Sequence, residues 1–392
     1  MIFWRAPAGN DVAHPEAMRA LLRRALAADP DNPALHLKLA GLDMDRYDFA
    51  AAAVHLETVL RLDPNIREGR AALAHCCNLL HRHQRALEVL AASGDPAPQY
   101  ERGLALLRLG RKEEAEAEFR ALLAADPGHR HACRRTCRLL RDAGRHSEVL
   151  ALCKGLRDRG VGHAQLLYDW GWALAVAGKE DEARAILLDP RRIAEIDVPP
   201  PAGFGHIGEF NAALADELTG NPNLLSDFSP EEEANRGSSR VHSLFAGRRP
   251  ELIRALLAAV QEIVDGWAPP RIGPLDPWLD ARPSAARLKA WGLFQRGGDY
   301  EEWHIHRGGW LSGVYYVQVP DAVASAADGR GCIEYGPPPR LGEAMPGWVE
   351  PRRITPREGM LILAPSHYPH RTIPTGADQR RISFAFDVVP QS

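Results

Sequence analysis

At 392 residues the chain exceeds the length at which one hydrophobic core usually stops growing, and its 45% hydrophobic, 25% charged composition is that of a globular protein, so two domains are expected. A formal net charge of −3 gives the molecule as a whole no electrostatic reason to seek nucleic acid or an anionic membrane. The N-terminus lacks a basic stretch followed by an apolar run, no segment nears the ~20 apolar residues that span a bilayer, and the cysteines read as reduced thiols, so a cytoplasmic protein is expected.

The first half carries an internal period. Asp-Pro recurs at Asp29-Pro30, Asp63-Pro64, Asp95-Pro96 and Asp126-Pro127, in steps of 34, 32 and 31 residues. Each pair follows an Ala/Leu-rich amphipathic stretch, where proline stops one helix and opens the next. The clearest unit runs from Pro96 to Pro127: Gly103 for close helix approach, Leu106 and Leu109 for apolar spacing, Gly110 for the turn, then Ala115 and Phe119 on one face. This unit resembles the tetratricopeptide repeat, whose second helix carries Ala-x3-Phe and ends in Pro. Ala40, Ala52 and Pro64 fit the same frame, as do Gly171, Gly178 and Ala183, whereas the units around His75–Leu90 and His131–Leu152 are degenerate. Stacked repeats leave a concave groove for a peptide or protein segment, though such an array can also serve packing or a homodimer. The basic run Arg130, Arg134, Arg135, Arg138, Arg141 and Arg145 reads as a solvated repeat face, with an acidic-peptide site as the sharper option.

Beyond Asp189-Pro190 the texture changes. Val198-Pro199-Pro200-Pro201 marks a stiff connector over 191–205. Helices are expected over Asn211–Leu218 and Pro250–Trp267. Short β-type runs follow at Leu288–Gln295, Trp303–His306, Ser312–Val319, Gly331–Tyr335, Met360–Ala364 and Arg381–Val388, the pattern of an antiparallel sandwich or jelly roll. The expectation is an α+β multidomain chain: a helical repeat solenoid over 1–190, a Pro-rich linker over 191–205 and a β domain over 206–392.

Three pieces on separate β runs carry chemistry. In His304-Ile305-His306 both imidazoles can face one way on a strand. His370 follows the apolar run Met360–Ala364, with His367 as its competitor three residues earlier. Arg381 and Ser383 share a face of the last strand, and this register favours Arg381 over Arg380. Three histidines on one side of an ion leave positions open for substrate and dioxygen, as in non-haem Fe(II) oxygenases. A buried arginine supplies a fixed, always-charged fork for a carboxylate, and a hydroxyl two residues on adds a second bond.

HIHRGGWLSGVYYVQVP over His304–Pro320 and GMLILAPSHYPH with RRISFAFDV resemble the 2OG-Fe(II) oxygenase family related to the prolyl 4-hydroxylases, over roughly Gly203–Pro390. The resemblance implies a double-stranded β-helix, Fe(II) and O2, and 2-oxoglutarate as co-substrate. It also implies that Arg381, Ser383 and Tyr316 meet the distal carboxylate of that co-substrate, with Tyr315 one slip away. His-x-Asp/Glu is usual in the superfamily, whereas His306 stands at the carboxylate position here. The third ligand is therefore His306, or an oxygen from Glu334 or Glu302, Glu334 otherwise reading as a solvent-facing carboxylate. No catalytic residue beyond the metal site is required. The resemblance implies a dioxygenase that hydroxylates, and the repeats, whose groove adds binding energy remote from the reacting atom, point to a peptide or protein side chain as its substrate. A small-molecule oxygenase, or a non-catalytic scaffold with a degenerate barrel, stands as the alternative. Trp291, Trp303 and Trp310 are candidates for pocket or rim packing.

Overall fold

The computed structural model describes residues 2–5, 15–92, 99–225, 234–241, 244–246, 250–273, 276–324, 326–345, 347 and 350–391. Two compact units form, His14–Arg145 and Met1–Ala13 with His146–Ser392.

The first unit is a series of paired helices, Pro15–Ala28, Pro33–Asp45, Phe49–Leu62, Arg67–Leu79, His83–Ala91, Gln99–Arg108, Lys112–Ala125 and Arg130–Asp142. Local chemistry starts them: Asn32 accepts hydrogen bonds from the Ala34 and Leu35 amides, with Pro33 in the first turn, and Asp48 accepts from Ala51. Gly103 is required where it stands, because a Cβ there would lie 2.6 Å from the Phe119 ring. Ala115 and Phe119 are fully buried, as the repeat pattern predicts, whereas Leu109 sits past the end of its helix and is 40% exposed. The Asp95-Pro96 step lies outside the described residues. The basic run is not one solvated face: Arg130 and Arg138 are exposed, Arg135 is buried, and Arg145 pairs with Glu116 at 2.7 Å.

The repeat turn keeps its geometry whether or not its sequence holds glycine. Gly110, Gly144 and Gly178 turn the chain at φ +80°, +70° and +75°, and Tyr47 and His81 hold the equivalent turns at φ +62° and +57°. A left-handed residue is thus retained at these turns even where no glycine supplies it cheaply.

The second unit begins with helices His146–Asp158, Ala164–Val176 and Glu180–Leu187. The repeat-like pattern does run to Leu187, but Leu174, Ala183 and Leu187 share a core with Leu341 and Met345 of the β region. The nine principal strands are β1 Ala194–Asp197, β2 Ser239–Val241, β3 Ala285–Gln295, β4 Leu311–Gln318, β5 Ile333–Tyr335, β6 Arg352–Ile354, β7 Met360–Pro365, β8 His370–Thr372 and β9 Arg381–Pro390. The large sheet runs β1-β7-β4-β9-β3-β2 and ends on Leu224–Leu225, with Phe3–Trp4 parallel to β3. The small sheet runs β6-β5-β8. The 191–205 segment is therefore more than a linker. Ala194–Asp197 alternates in burial and pairs antiparallel with 360–363, so the connector adds a sheet edge before its prolines.

The two sheets pack face to face through Tyr316, Met360, Ile362 and Ala364 of the large one and Ile333, Tyr335 and Ile354 of the small one. On the other face of the large sheet, Tyr315, Leu361, Phe384 and Phe386 meet helices Ile207–Thr219 and Glu251–Gly266. Strand alternation produces this division, since successive side chains point to opposite faces. The tryptophans of this outer core interlock. Trp278 and Trp310 stack with centroids 4.9 Å apart, and each indole N–H donates to the other's carbonyl at 2.8 Å. No helix of the described residues is long and apolar enough to cross a membrane.

Candidate metal centre

His304 and His306 lie on an extended segment, and only His304 forms a β-bridge, with His370 at the start of β8. Paired backbone bonds fix this crossing, His304 N to His370 O at 2.9 Å and His370 N to His304 O at 3.0 Å. The next rung, His306 N to Ser366 O at 2.9 Å, keeps His306 in step with the strand beyond. The expected strand over Trp303–His306 is thus a bridge followed by a turn. Two-residue spacing still brings the rings together. Ring centroids lie 5.2 Å apart for His304 and His306, 4.3 Å for His304 and His370, and 5.0 Å for His306 and His370.

One potential ligand atom from each ring lies within 4.8 Å of the others, so these three side chains could hold a metal ion. The tautomers follow from the hydrogen bonds. Nδ1 of His304 lies 2.7 Å from the Glu302 carbonyl and Nδ1 of His370 lies 3.0 Å from the Tyr368 carbonyl. A carbonyl can only accept, so both rings donate from Nδ1 and keep a lone pair on Nε2. His306 Nδ1 lies 2.5 Å from Asp387 Oδ1, which fixes the third ring the same way. Loss of hydration, reinforced by the neighbouring imidazoles, holds His304 well below the ordinary histidine range and His370 at about 3. Both are neutral near pH 7, the state in which imidazole ligates.

Glu334 is not solvent-facing. It is fully buried and bound by Arg353 at 2.6 Å and Arg371 at 2.5 Å, because both arginines are its direct cross-strand partners in the small sheet. Glu302 is engaged by Arg236 at 2.9 Å. Neither carboxylate joins the histidine cluster, which His306 completes. His367 stands apart, buried, with Nε2 donating to the Ile186 carbonyl at 2.8 Å.

Below the cluster, Arg381 is 1% exposed. Its Nε and Nη2 donate to Gln295 Oε1 at 3.0 and 2.5 Å, and Nη1 donates to the Gly331 carbonyl at 2.8 Å. Of five N–H groups, one on each terminal nitrogen remains for another acceptor. Arg381 makes no ion pair among the described residues, and burial lowers its pKa, only partly offset by the charges of Tyr316 and Glu301. Ser383 faces Tyr316 directly across the β4–β9 pair, and both are buried. Burial pushes the Tyr316 hydroxyl up to about 12, opposed by Arg381. Tyr315 points the other way, its hydroxyl donating to Asn211 at 2.6 Å. Trp291 stacks on His306 at 5.7 Å, and Arg371 lies over Trp303 at 5.1 Å, while Trp310 belongs to the outer core.

Three residues escaped the sequence reading: Asp387, Gln295 and Trp291 in its contact with His306. Strand alternation was the available signal. Positions 381, 383, 385 and 387 share a face of β9, and an acidic residue inside RISFAFDVV is out of place unless it has a partner.

With this geometry in hand, residues 289–387 match the family model described as "Putative 2OG-Fe(II) oxygenase". The matched stretch contains the three histidines and Arg381. The match supports the 2-oxoglutarate and Fe(II) class for the domain and a co-substrate of that kind. No curated protein matches the sequence. Among solved structures, a prolyl-4-hydroxylase from Pseudomonas putida is 15% identical, aligning over 56% of this chain and 100% of its own, with a TM-score of 0.34. YrrB, a TPR protein with an unusual peptide-binding site, is 16% identical over 42% of this chain and 88% of its own, with a TM-score of 0.33. A tetratricopeptide repeat protein from Parabacteroides merdae is 16% identical over 44% and 68%, with a TM-score of 0.36.

Proposed function

We propose that the protein is an Fe(II)- and 2-oxoglutarate-dependent hydroxylase acting on a peptide or protein side chain, with His304, His306 and His370 as metal ligands. One observation carries the reading: three imidazoles converge in the same barrel that buries a guanidinium with no ion-pair partner among the described residues. The donor set fits a divalent transition metal, since imidazole suits iron and a one-sided triad leaves coordination positions open. The guanidinium fits a carboxylate, which removes the cost of its isolation.

When bound, Fe(II) with O2 and 2-oxoglutarate supplies the oxidising power, the co-substrate leaving as succinate and CO2 while a C–H bond of the substrate becomes C–OH. The protein's share is positional. The two remaining N–H groups of Arg381 would grip the distal carboxylate as a fork, and the hydroxyls of Ser383 and Tyr316 would each add a hydrogen bond. Ile333, Tyr335, Met360 and Ile362 wall the barrel interior and limit water. No general acid or base is asked of these residues. A protein substrate is favoured because a helical repeat array of this kind offers an extended surface for a chain segment, adding binding energy remote from the reacting carbon.

The test is an anaerobic titration of Fe(II) with 2-oxoglutarate, followed by the weak visible band of the chelate, in wild type and His306→Ala. A band that collapses in the variant supports the three-histidine site. No band in folded wild type with Fe(II) in excess removes the oxygenase reading and leaves the repeat array as the functional half.

A further inference from the structure

Asp387 is a buried carboxylate whose single hydrogen-bond and ion-pair partner among the described residues is His306 Nδ1, at 2.5 Å. Its cross-strand neighbours are Ser312 on β4 and Lys289 on β3, and Lys289 is exposed and forms no ion pair with it among the described residues. Among the described residues, the buried carboxylate can meet a counter-charge only through the His306 ring. A cation on the far nitrogen of that ring would compensate it. His304 and His370, by contrast, donate to neutral backbone carbonyls.

We propose that Asp387 acts through His306 as the anionic element of the metal centre. It supplies, one imidazole removed from the ion, the charge that a directly coordinated carboxylate supplies in His-x-Asp/Glu sites. This rests on the three-histidine reading. The carboxylate holds the Nδ1–H tautomer, aims Nε2 at the metal position and raises the basicity of that nitrogen, the role that outer partners of ligating histidines take generally. It also explains how a site with three neutral ligands retains a divalent ion. Asp387 is a positioning residue and does not itself touch metal or substrate.

The experiment uses full-length protein, with anaerobic Fe(II) affinity measured by competition against a chelator and Co(II) absorption as a spectroscopic stand-in. Asp387→Asn keeps shape and an acceptor oxygen but removes the charge. The expected result is 10- to 100-fold weaker Fe(II) binding and an altered Co(II) spectrum, with unchanged melting of the metal-free protein. Asp387→Glu should recover part of the affinity. Wild-type affinity in a folded Asp387→Asn variant overturns the role of Asp387 while leaving the three-histidine site intact. Failure of wild type to bind either metal overturns the site itself, and the proposal with it. Should Asp387→Asn not fold, proton NMR of the zinc-loaded wild type decides. The His306 Nδ1–H resonance, assigned by its loss in His306→Gln, must lie downfield of those of His304 and His370, and coincidence of the three overturns the proposal.

Discussion

Arg381 gives two of its N–H groups to a single oxygen, Gln295 Oε1, directly opposite it on β3. A carboxamide there orients the guanidinium without neutralising it, so the charge stays available to a dicarboxylate. Arg381→Lys keeps the charge and loses the fork. The expected outcome is 2-oxoglutarate affinity weaker by about 10- to 100-fold, or ~1.5–3 kcal/mol, with Fe(II) affinity in the absence of co-substrate unchanged. Calorimetric titration of each ligand separately checks both halves, and an unaltered 2-oxoglutarate affinity would remove Arg381 from the co-substrate site.

Glu334 separates a structural carboxylate from a ligand. Its partners Arg353 and Arg371 are about half exposed, so water relieves much of their loss when the charge is removed. Glu334→Gln should cost roughly 1–3 kcal/mol through weakened charge-assisted bonds and should leave Fe(II) affinity as it was. Urea unfolding followed by tryptophan fluorescence gives the first number. All nine tryptophans lie outside 14–145, so the signal belongs to the unit that contains the sheets. Loss of metal with the fold intact would reinstate Glu334 as a ligand.

These residues also show what a sequence can and cannot disclose. Period-two and period-3.6 patterns are local, and they located β3, β4, β7, β9 and the helices at 207–219 and 251–266. The histidines and Arg381 were legible because motif spacing put them on faces that the barrel then joined. Burial of Glu334 was not legible, because it depends on β5 standing between two strands that each place an arginine opposite it. The strand at 194–197 was hidden by the prolines after it, and its partner lies about 165 residues away. Asp387 was missed because a lone acid in an apolar strand has meaning only once a partner from a distant turn is known.

Acid should loosen the second unit through His367. Burial lowers this imidazole to about 3, below the ~6.5 of an unfolded chain. Its contribution is therefore fully present above pH 6.5 and is lost as pH falls towards 3, because only the unfolded chain takes up the proton in that window. The slope is about 1.4 kcal/mol per pH unit for one group. His367→Gln keeps a donor for the Ile186 carbonyl and removes the titration. Metal-free wild type and variant, unfolded in urea at pH 7, 6 and 5, should differ in slope by about one proton, and parallel slopes would show that His367 is protonated in the folded state.

In the first unit the turn at His81 carries an avoidable strain. The residue is exposed and sits at φ +57°, the position that glycine holds at Gly110 and Gly144. A side chain in the left-handed region costs about 1–2 kcal/mol, and glycine gives back roughly 0.5–1 kcal/mol of that in lost chain entropy. His81→Gly should therefore raise stability by up to about 1 kcal/mol, whereas His81→Ala keeps the Cβ and gains nothing. The difference is best read between the two variants, since both lose the contact of the His81 ring with His83 at 5.9 Å. Thermal unfolding monitored by far-ultraviolet circular dichroism should place the glycine variant above the alanine variant. The reverse order would mean that the turn relaxes to another backbone conformation when the imidazole is gone.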